Sequence, residues 1–226
     1  MPTIELDGVL FSYDGGSPLL NIHELEIHEG ERVFMHGPSG SGKTTLLGLI
    51  SGVLKATRGS VRVLDRDLSE MSLSARDRHR GAEMGYIFQG LNLVPYLSVS
   101  ENIALPCNLY TKRMRRISSS SLDEEIRRLA ERLDFKDLLD RPVTKLSAGQ
   151  QQRVAIARAI IGQPHLVIAD EPTSSLDRDR QEGFLQLLME MCDEASATLL
   201  FVSHDLSLMP RFNRNISLKD VNTVSA

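Results

Sequence analysis

The spacing of apolar residues changes character twice along this chain. Up to about residue 63 the pattern is alternating: Leu25-Glu26-Ile27-His28 and Val61-Arg62-Val63 put every second side chain on one face, the period of half-buried strands. Gly15-Gly16-Ser17-Pro18 is a turn cluster between such runs. Arg32-Val33-Phe34-Met35 predicts a buried strand that runs into a glycine-rich stretch, and Thr44 to Ser51 then reads as a helix with Leu46, Leu47 and Ile50 on one face. From about Ser98 to Ala159 the period becomes helical. Leu122, Ile126, Leu129, Ala130 and Leu133 form an amphipathic stripe. Ser98 with Glu101, Ser121 with Glu124 and Ser147 with Gln150 each fit a capping box. The last third returns to strand and helix in alternation. Leu166-Val167-Ile168-Ala169 is a continuous apolar run suited to a strand buried on both faces, Asp177–Glu194 predicts a helix, and Thr198–Val202 a second buried strand. The pattern is an α/β core interrupted by a helical insert, with no internal repeat.

Composition narrows the classes. With 226 residues, 41% hydrophobic and 25% charged, the chain has the make-up of a globular protein with a substantial core. The net charge of −4 gives no general field for coating nucleic acid, so no nucleic-acid partner is expected. Two cysteines, Cys107 and Cys192, make no disulfide framework and read as small buried hydrophobes. No apolar run approaches the about 18 residues of a membrane helix, and the opening Met1-Pro2-Thr3-Ile4-Glu5 has no secretory pattern, so work at a membrane requires a partner. The basic run Lys112, Arg113, Arg115, Arg116 ahead of Ser118–Ser121 reads as a solvated loop, with contact to acidic lipid or a partner as the minor alternative.

Two groups of residues carry chemistry. Gly37-Pro38-Ser39-Gly40-Ser41-Gly42-Lys43-Thr44 fits G-x-x-x-x-G-K-[ST] in full, after an apolar strand and before a helix. Glycines let backbone N–H groups converge on phosphate oxygens, and the helix N-terminus adds its positive dipole end. Lys43 is placed to bridge β- and γ-phosphates and Thr44 to put its hydroxyl on Mg²⁺. Asp170 closes the apolar run 166–169 and Glu171 follows it. The proposed division is Asp170 on the metal and Glu171 as the base for an attacking water; the bland alternative is a pair of acids capping the next helix.

With these residues in place the chain resembles the ATP-binding-cassette (ABC) ATPases over most of its length, from about Ile4 to Leu218. Gln89, in Tyr86-Ile87-Phe88-Gln89, matches the family's glutamine loop, which implies contact with Mg²⁺ and the attacking water. Leu146-Ser147-Ala148-Gly149-Gln150 matches the signature motif. Ser175-Leu176-Asp177 matches the loop that crosses between subunits, and His204 matches the switch histidine at the γ-phosphate. Tyr13 stands where the family stacks an aromatic ring on adenine, although a plain surface tyrosine fits too. The resemblance implies a P-loop NTPase fold: an α/β core at about 1–89 and 160–220 with a mixed sheet and an N-terminal antiparallel β subdomain, plus a helical subdomain at about 90–159, all within one cassette domain. It implies ATP and Mg²⁺ as ligands, with Thr45 beside Thr44 in the cradle. Ser147, Gly149, Gln150 and Asp177 then belong to the second half of a nucleotide site shared in a homodimer.

The resemblance further implies a separate integral membrane permease, with this chain peripheral on the cytoplasmic face. The groove near Gln89 to Glu101 is its expected contact, with Tyr96 and Leu97 as candidates. Residues 37–47, Leu93-Val94-Pro95, Glu101-Asn102-Ile103 and 150–153 are similar to the lipoprotein-releasing, macrolide-export and cell-division group. Amino-acid-importer ATPases and soluble, non-transport ABC ATPases are the alternatives. Two departures stand out. Ala148 replaces a glycine that most relatives carry, adding a methyl and disfavouring positive φ. Lys219-Asp220-Val221-Asn222 occupies the place of an Asp-Gly turn between two strands.

Overall fold

Burial in the first strand alternates except at Thr3, buried beside Ile4, and around Gly8, which has φ +56. In β1 (Pro2–Phe11) the side chains of Ile4, Leu6, Val9 and Phe11 turn inward. This computed structural model describes residues 1–13, 15–118, 121–174 and 176–224; Ser175 of the subunit-crossing motif and Ser119 and Ser120 after the basic run lie outside them. The chain divides into two compact units, Met1–Arg80 with Thr198–Ala226, and Gly81–Ala197.

In the first unit β1 is central to an antiparallel sheet. It pairs with β2 (Leu20–His28) and with β4 (Arg58–Val63), which carries β5 (Arg66–Asp67) at the edge. Leu6 faces Leu25 on one side and Val61 on the other, so the alternating pattern of the sequence becomes one apolar face. The same unit holds β3 (Arg32–His36), α1 (Lys43–Ile50), β8 (Thr198–Val202) and β9 (Arg214–Ser217). Here β3 lies parallel to β8 and to β9, and Phe34, Phe201 and Phe212 stack around it at 5.2–6.2 Å between ring centres. The expected turn at 219–222 is instead a helical one: Leu218–Val221 winds into a short helix. Without a glycine the chain has no cheap positive-φ residue there. Asn222 anchors the end by accepting from the Asn21 N–H at 2.8 Å and donating to the Leu19 carbonyl at 3.1 Å.

In the second unit β6 (Met84–Ile87) runs parallel to β7 (Leu166–Asp170), whose first four residues are fully buried. The helices are α3 (Val99–Leu109), α4 (Thr111–Met114), α5 (Leu122–Arg132), α6 (Ala148–Ile160) and α7 (Arg178–Glu194). Ser98 and Ser147 complete reciprocal capping boxes with Glu101 and Gln150, and Ser121 accepts from the Glu124 N–H. Ile126, Leu129, Ala130 and Leu133 are buried as the stripe predicts. α2 (Leu73–Glu83), absent from the sequence reading, carries the chain from one unit to the other. Its sequence offers no aliphatic stripe; it buries Arg76, whose guanidinium donates to the Leu54 carbonyl at 2.9 Å.

The basic run is solvated only in part: Lys112 and Arg115 are exposed, whereas Arg113 is buried. Arg113 is 1% exposed and donates to the carbonyls of Gly81 (3.2 Å), Ala159 (3.1 Å) and Ile161 (2.6 Å) and to that of Met84. A guanidinium presents five donors in a fixed fork, and four carbonyls converge on it. Burial pulls its pKa down to about 10. Beside it the nearly buried Glu83 takes hydrogen bonds from Lys112 and Arg116, with His165 Nδ1 at 3.0 Å. Burial alone would raise the Glu83 carboxyl; the Lys112 and Arg116 hydrogen bonds and charges overcome it and bring the pKa down to about 2. Both cysteines are buried, as expected.

Candidate functional site

Parallel pairing decides what each unit collects at its strand ends. In the first unit Met35 is in register with Val202, and the Ser203 N–H donates to the Met35 carbonyl at 3.1 Å. The loop 37–42 and the segment Ser203-His204 therefore leave neighbouring strand ends together, where α/β sheets hold ligands. His204 is exposed there.

The loop itself is closed around its glycines. Gly42 has φ +97 and a side chain on it would meet Leu20 at 2.7 Å. A Cβ on Gly37 would meet the Ser41 hydroxyl at 2.8 Å. That hydroxyl is buried and has no hydrogen-bond partner, an orphaned donor inside the curl. Lys43 starts α1 and its ammonium reaches back over the loop to the carbonyls of Gly37 (2.9 Å) and Pro38 (3.2 Å). Pro38, Ser39, Gly40 and Thr44 are exposed at its mouth. Thr45 is buried; its Oγ1 lies 3.2 Å from the Tyr13 hydroxyl. Tyr13 packs edge-on against Phe11 and is 54% exposed as a residue, an aromatic side chain held beside the loop. The donors are of the right kind: backbone N–H groups, one ammonium and hydroxyls for phosphate, and the hard oxygen of Thr44 for Mg²⁺.

In the second unit Ile87 is in register with Ala169, so Gln89 and the acid pair Asp170-Glu171 emerge from adjacent strand ends. Glu171 has φ +46, rare for a residue other than glycine or asparagine and costing about 1–2 kcal/mol. The turn closes with the Ser174 N–H on the Glu171 carbonyl at 3.2 Å. The Gln89 amide donates to the Ser174 hydroxyl at 3.4 Å, tying the glutamine loop to the segment after the acids. Sequence reasoning gave Ser174 no weight; only the strand register brings it to Gln89. Asp170 lies near enough to Tyr86 that its charge adds to burial in raising that phenol above its usual range. Asp170 and Gln89 supply a carboxylate and an amide oxygen, both suited to Mg²⁺.

Ser147 is the N-cap of α6, accepting from the Gln150 N–H at 3.3 Å while the Gln150 side chain accepts from the Ser147 N–H at 2.9 Å. Gly149 has open space where a Cβ would stand. The two residues line a cleft of about 380 Å³ with Ala148, Gln152, Arg153 and Arg180. Ala148 is the first residue of α6 and does not have positive φ, so the expected conflict between alanine and backbone is absent. Asp177 is the N-cap of α7, accepting from the Arg180 N–H at 3.1 Å and pairing with its guanidinium at 3.2 Å.

Known proteins resemble this chain over most of its length. The family described as ABC transporter matches residues 20–174. The lipoprotein-releasing system ATP-binding protein LolD of Anaeromyxobacter dehalogenans is 39% identical over 227 residues, covering 99% of this chain and 93% of the relative. The putative ABC transporter ATP-binding protein MG467 homolog of Mycoplasma pneumoniae is 41% identical over 92% of this chain. The chain spans 59% of the length of that relative and 64% of its Mycoplasma genitalium counterpart. Among solved structures, the dimeric form of the bacterial ABC transporter cassette MJ0796 is 33% identical, with a TM-score of 0.82 over 96% of this chain and 94% of that one. A second structure of MJ0796, a dimer in a post-hydrolysis state with ADP and Pi, matches equally well.

Proposed function

Because the chain belongs to the ABC transporter family, we propose that it is the ATP-binding and hydrolysing subunit of an ABC transporter, powering a separate membrane permease through ATP-driven closure of a homodimer. The observation that carries this reading is the loop 37–44, where a buried, partnerless Ser41 hydroxyl and the Lys43 ammonium over it support its role as a phosphate cradle.

In this reading residues 37–45 hold the phosphates and Tyr13 stacks on adenine. Thr44 would hold Mg²⁺, with Gln89 and Asp170, the last directly or through water; the ion supplies charge neutralisation on the phosphate oxygens. Glu171, fixed by its turn, accepts the proton of the attacking water. His204 contacts the γ-phosphate and Gln89 orients the water. Ser147 and the Gly149 N–H, at the start of a thirteen-residue helix, cap the nucleotide held by the other protomer, with Gln150 and Asp177 at the same boundary. Each site then needs two chains, and ATP acts as the glue between them.

Among the described residues no helix is long and apolar enough to cross a membrane. The proposed partner, by likeness to the family, is a separate permease of the lipoprotein-releasing, macrolide-export and cell-division type, holding this subunit to the inner face. Tyr96, 85% exposed, is its candidate contact. Gentle solubilisation of native membranes and pull-down of this chain tests it. An integral membrane protein should co-purify and change ATP turnover; full turnover with no membrane partner would favour a soluble ABC ATPase.

A further inference from the structure

Immediately after Gln89 the backbone enters a tight turn through two consecutive non-glycine residues of positive φ, Leu91 (φ 57) and Asn92 (φ 48). Such a pair is strained and persists only when its surroundings over-determine it. The turn's own bonds, Leu91 N–H to the Phe88 carbonyl at 2.8 Å and Asn92 N–H to the Gly90 carbonyl at 2.7 Å, close it locally. What holds it from outside is Arg158. One guanidinium nitrogen donates to the Leu91 carbonyl at 2.5 Å and the other to the Asn92 carbonyl at 2.7 Å. Downstream, the fully buried Asn102 of α3 grips Val94 on both sides, accepting from its N–H at 2.8 Å and donating to its carbonyl at 3.1 Å.

Arg158 stands in the last turn of α6, the helix that begins at Ser147. Eleven residues of helix, about 16 Å, separate the clasp from that N-terminus. An α-helix transmits displacement along its axis, so the fork that fixes the Leu91-Asn92 turn also ties it to the helix bearing Ser147 and Gly149.

We propose that Arg158 is a positioning residue for ATP hydrolysis: by clasping the Leu91 and Asn92 carbonyls it sets the reach of Gln89 and makes the glutamine loop move with the signature helix. The inference rests on the proposed role of Gln89 at the nucleotide. Arg158 touches neither nucleotide nor metal; it acts through the turn. Lysine is a poor substitute, because its ammonium offers a single nitrogen in place of the two fixed guanidinium nitrogens that each take one carbonyl.

The test is a double-mutant cycle on the full chain. Arg158→Lys and Arg158→Gln are made alone and with Gln89→Ala, with thermal melting to verify folding and ATP affinity measured in EDTA. For the Arg158 variants we expect kcat lowered by about tenfold, a higher Mg²⁺ concentration for half-maximal turnover, unchanged Mg²⁺-free ATP affinity, and no further loss in the Gln89→Ala background. Unchanged turnover in both folded Arg158 variants overturns the inference, as does an equal loss with and without Gln89, which marks Arg158 as merely structural. Parental turnover in Gln89→Ala alone overturns the reading of Gln89, and the inference with it.

Discussion

The Lys43 ammonium donates to the Gly37 carbonyl at 2.9 Å, across the loop that both residues bound. The cation already lies over the loop, and in the proposed function phosphate takes the place of these carbonyl oxygens. Lys43→Ala should weaken ATP binding by roughly 10- to 100-fold, the equivalent of about 1.5–3 kcal/mol for a charge-assisted contact. Titration calorimetry reads this directly, and parental affinity in the variant would contradict the cradle assignment.

Arg113 is a buried cation of the second unit, surrounded by backbone carbonyls. Arg113→Met removes a donor from four backbone carbonyls, of Gly81, Met84, Ala159 and Ile161. Buried acceptors stripped of a charged donor cost heavily, so the expected loss is at least about 3 kcal/mol in denaturant unfolding. A loss below about 1 kcal/mol would mean that the guanidinium is dispensable.

Acid should destabilise this unit through Glu83. Its folded pKa, about 2, lies below the ordinary 4.5, so its contribution is present above about pH 4.5 and disappears as pH falls from there through about 2. The size is about 3 kcal/mol. Glu83→Gln should be less stable than the parent near pH 7 and should show a flatter decline between pH 4.5 and 2. Lys112 and Arg116, which pair with it, are cations and do not offset this sign. Parallel pH profiles of the two proteins would contradict it.

Ala148 sits at the start of α6 with ordinary helical backbone, where alanine is the better helix former. Ala148→Gly should therefore leave ATP turnover within about twofold of the parent and lower stability by no more than about 1 kcal/mol. A several-fold rise in turnover would show that the methyl obstructs the nucleotide site.

What the sequence disclosed follows from which patterns are local. The buried strand at 166–169, the stripe from Ile126 to Leu133 and the caps at Ser98 and Ser147 depend on neighbours a few residues away and were legible. So was the position of the loop 37–44, between a buried strand and α1, because its pattern is written in eight consecutive residues. The contacts of Gln89 with Ser174 and of Arg158 with Leu91 and Asn92 span 85, 67 and 66 positions and depend on strand register and helix placement. The burial of Arg113 was hidden for a related reason: a charge run marks a solvated face only when no carbonyls from distant strand and helix ends converge on it.

The central claim is that nucleotide is shared between two copies of this chain. Glu171→Gln, which keeps the shape of the side chain and removes its basicity, should still bind Mg-ATP, lose hydrolysis, and elute as a dimer in size-exclusion chromatography with light scattering. A variant that stays monomeric in saturating Mg-ATP at high protein concentration, or that hydrolyses ATP at the parental rate, would contradict the account.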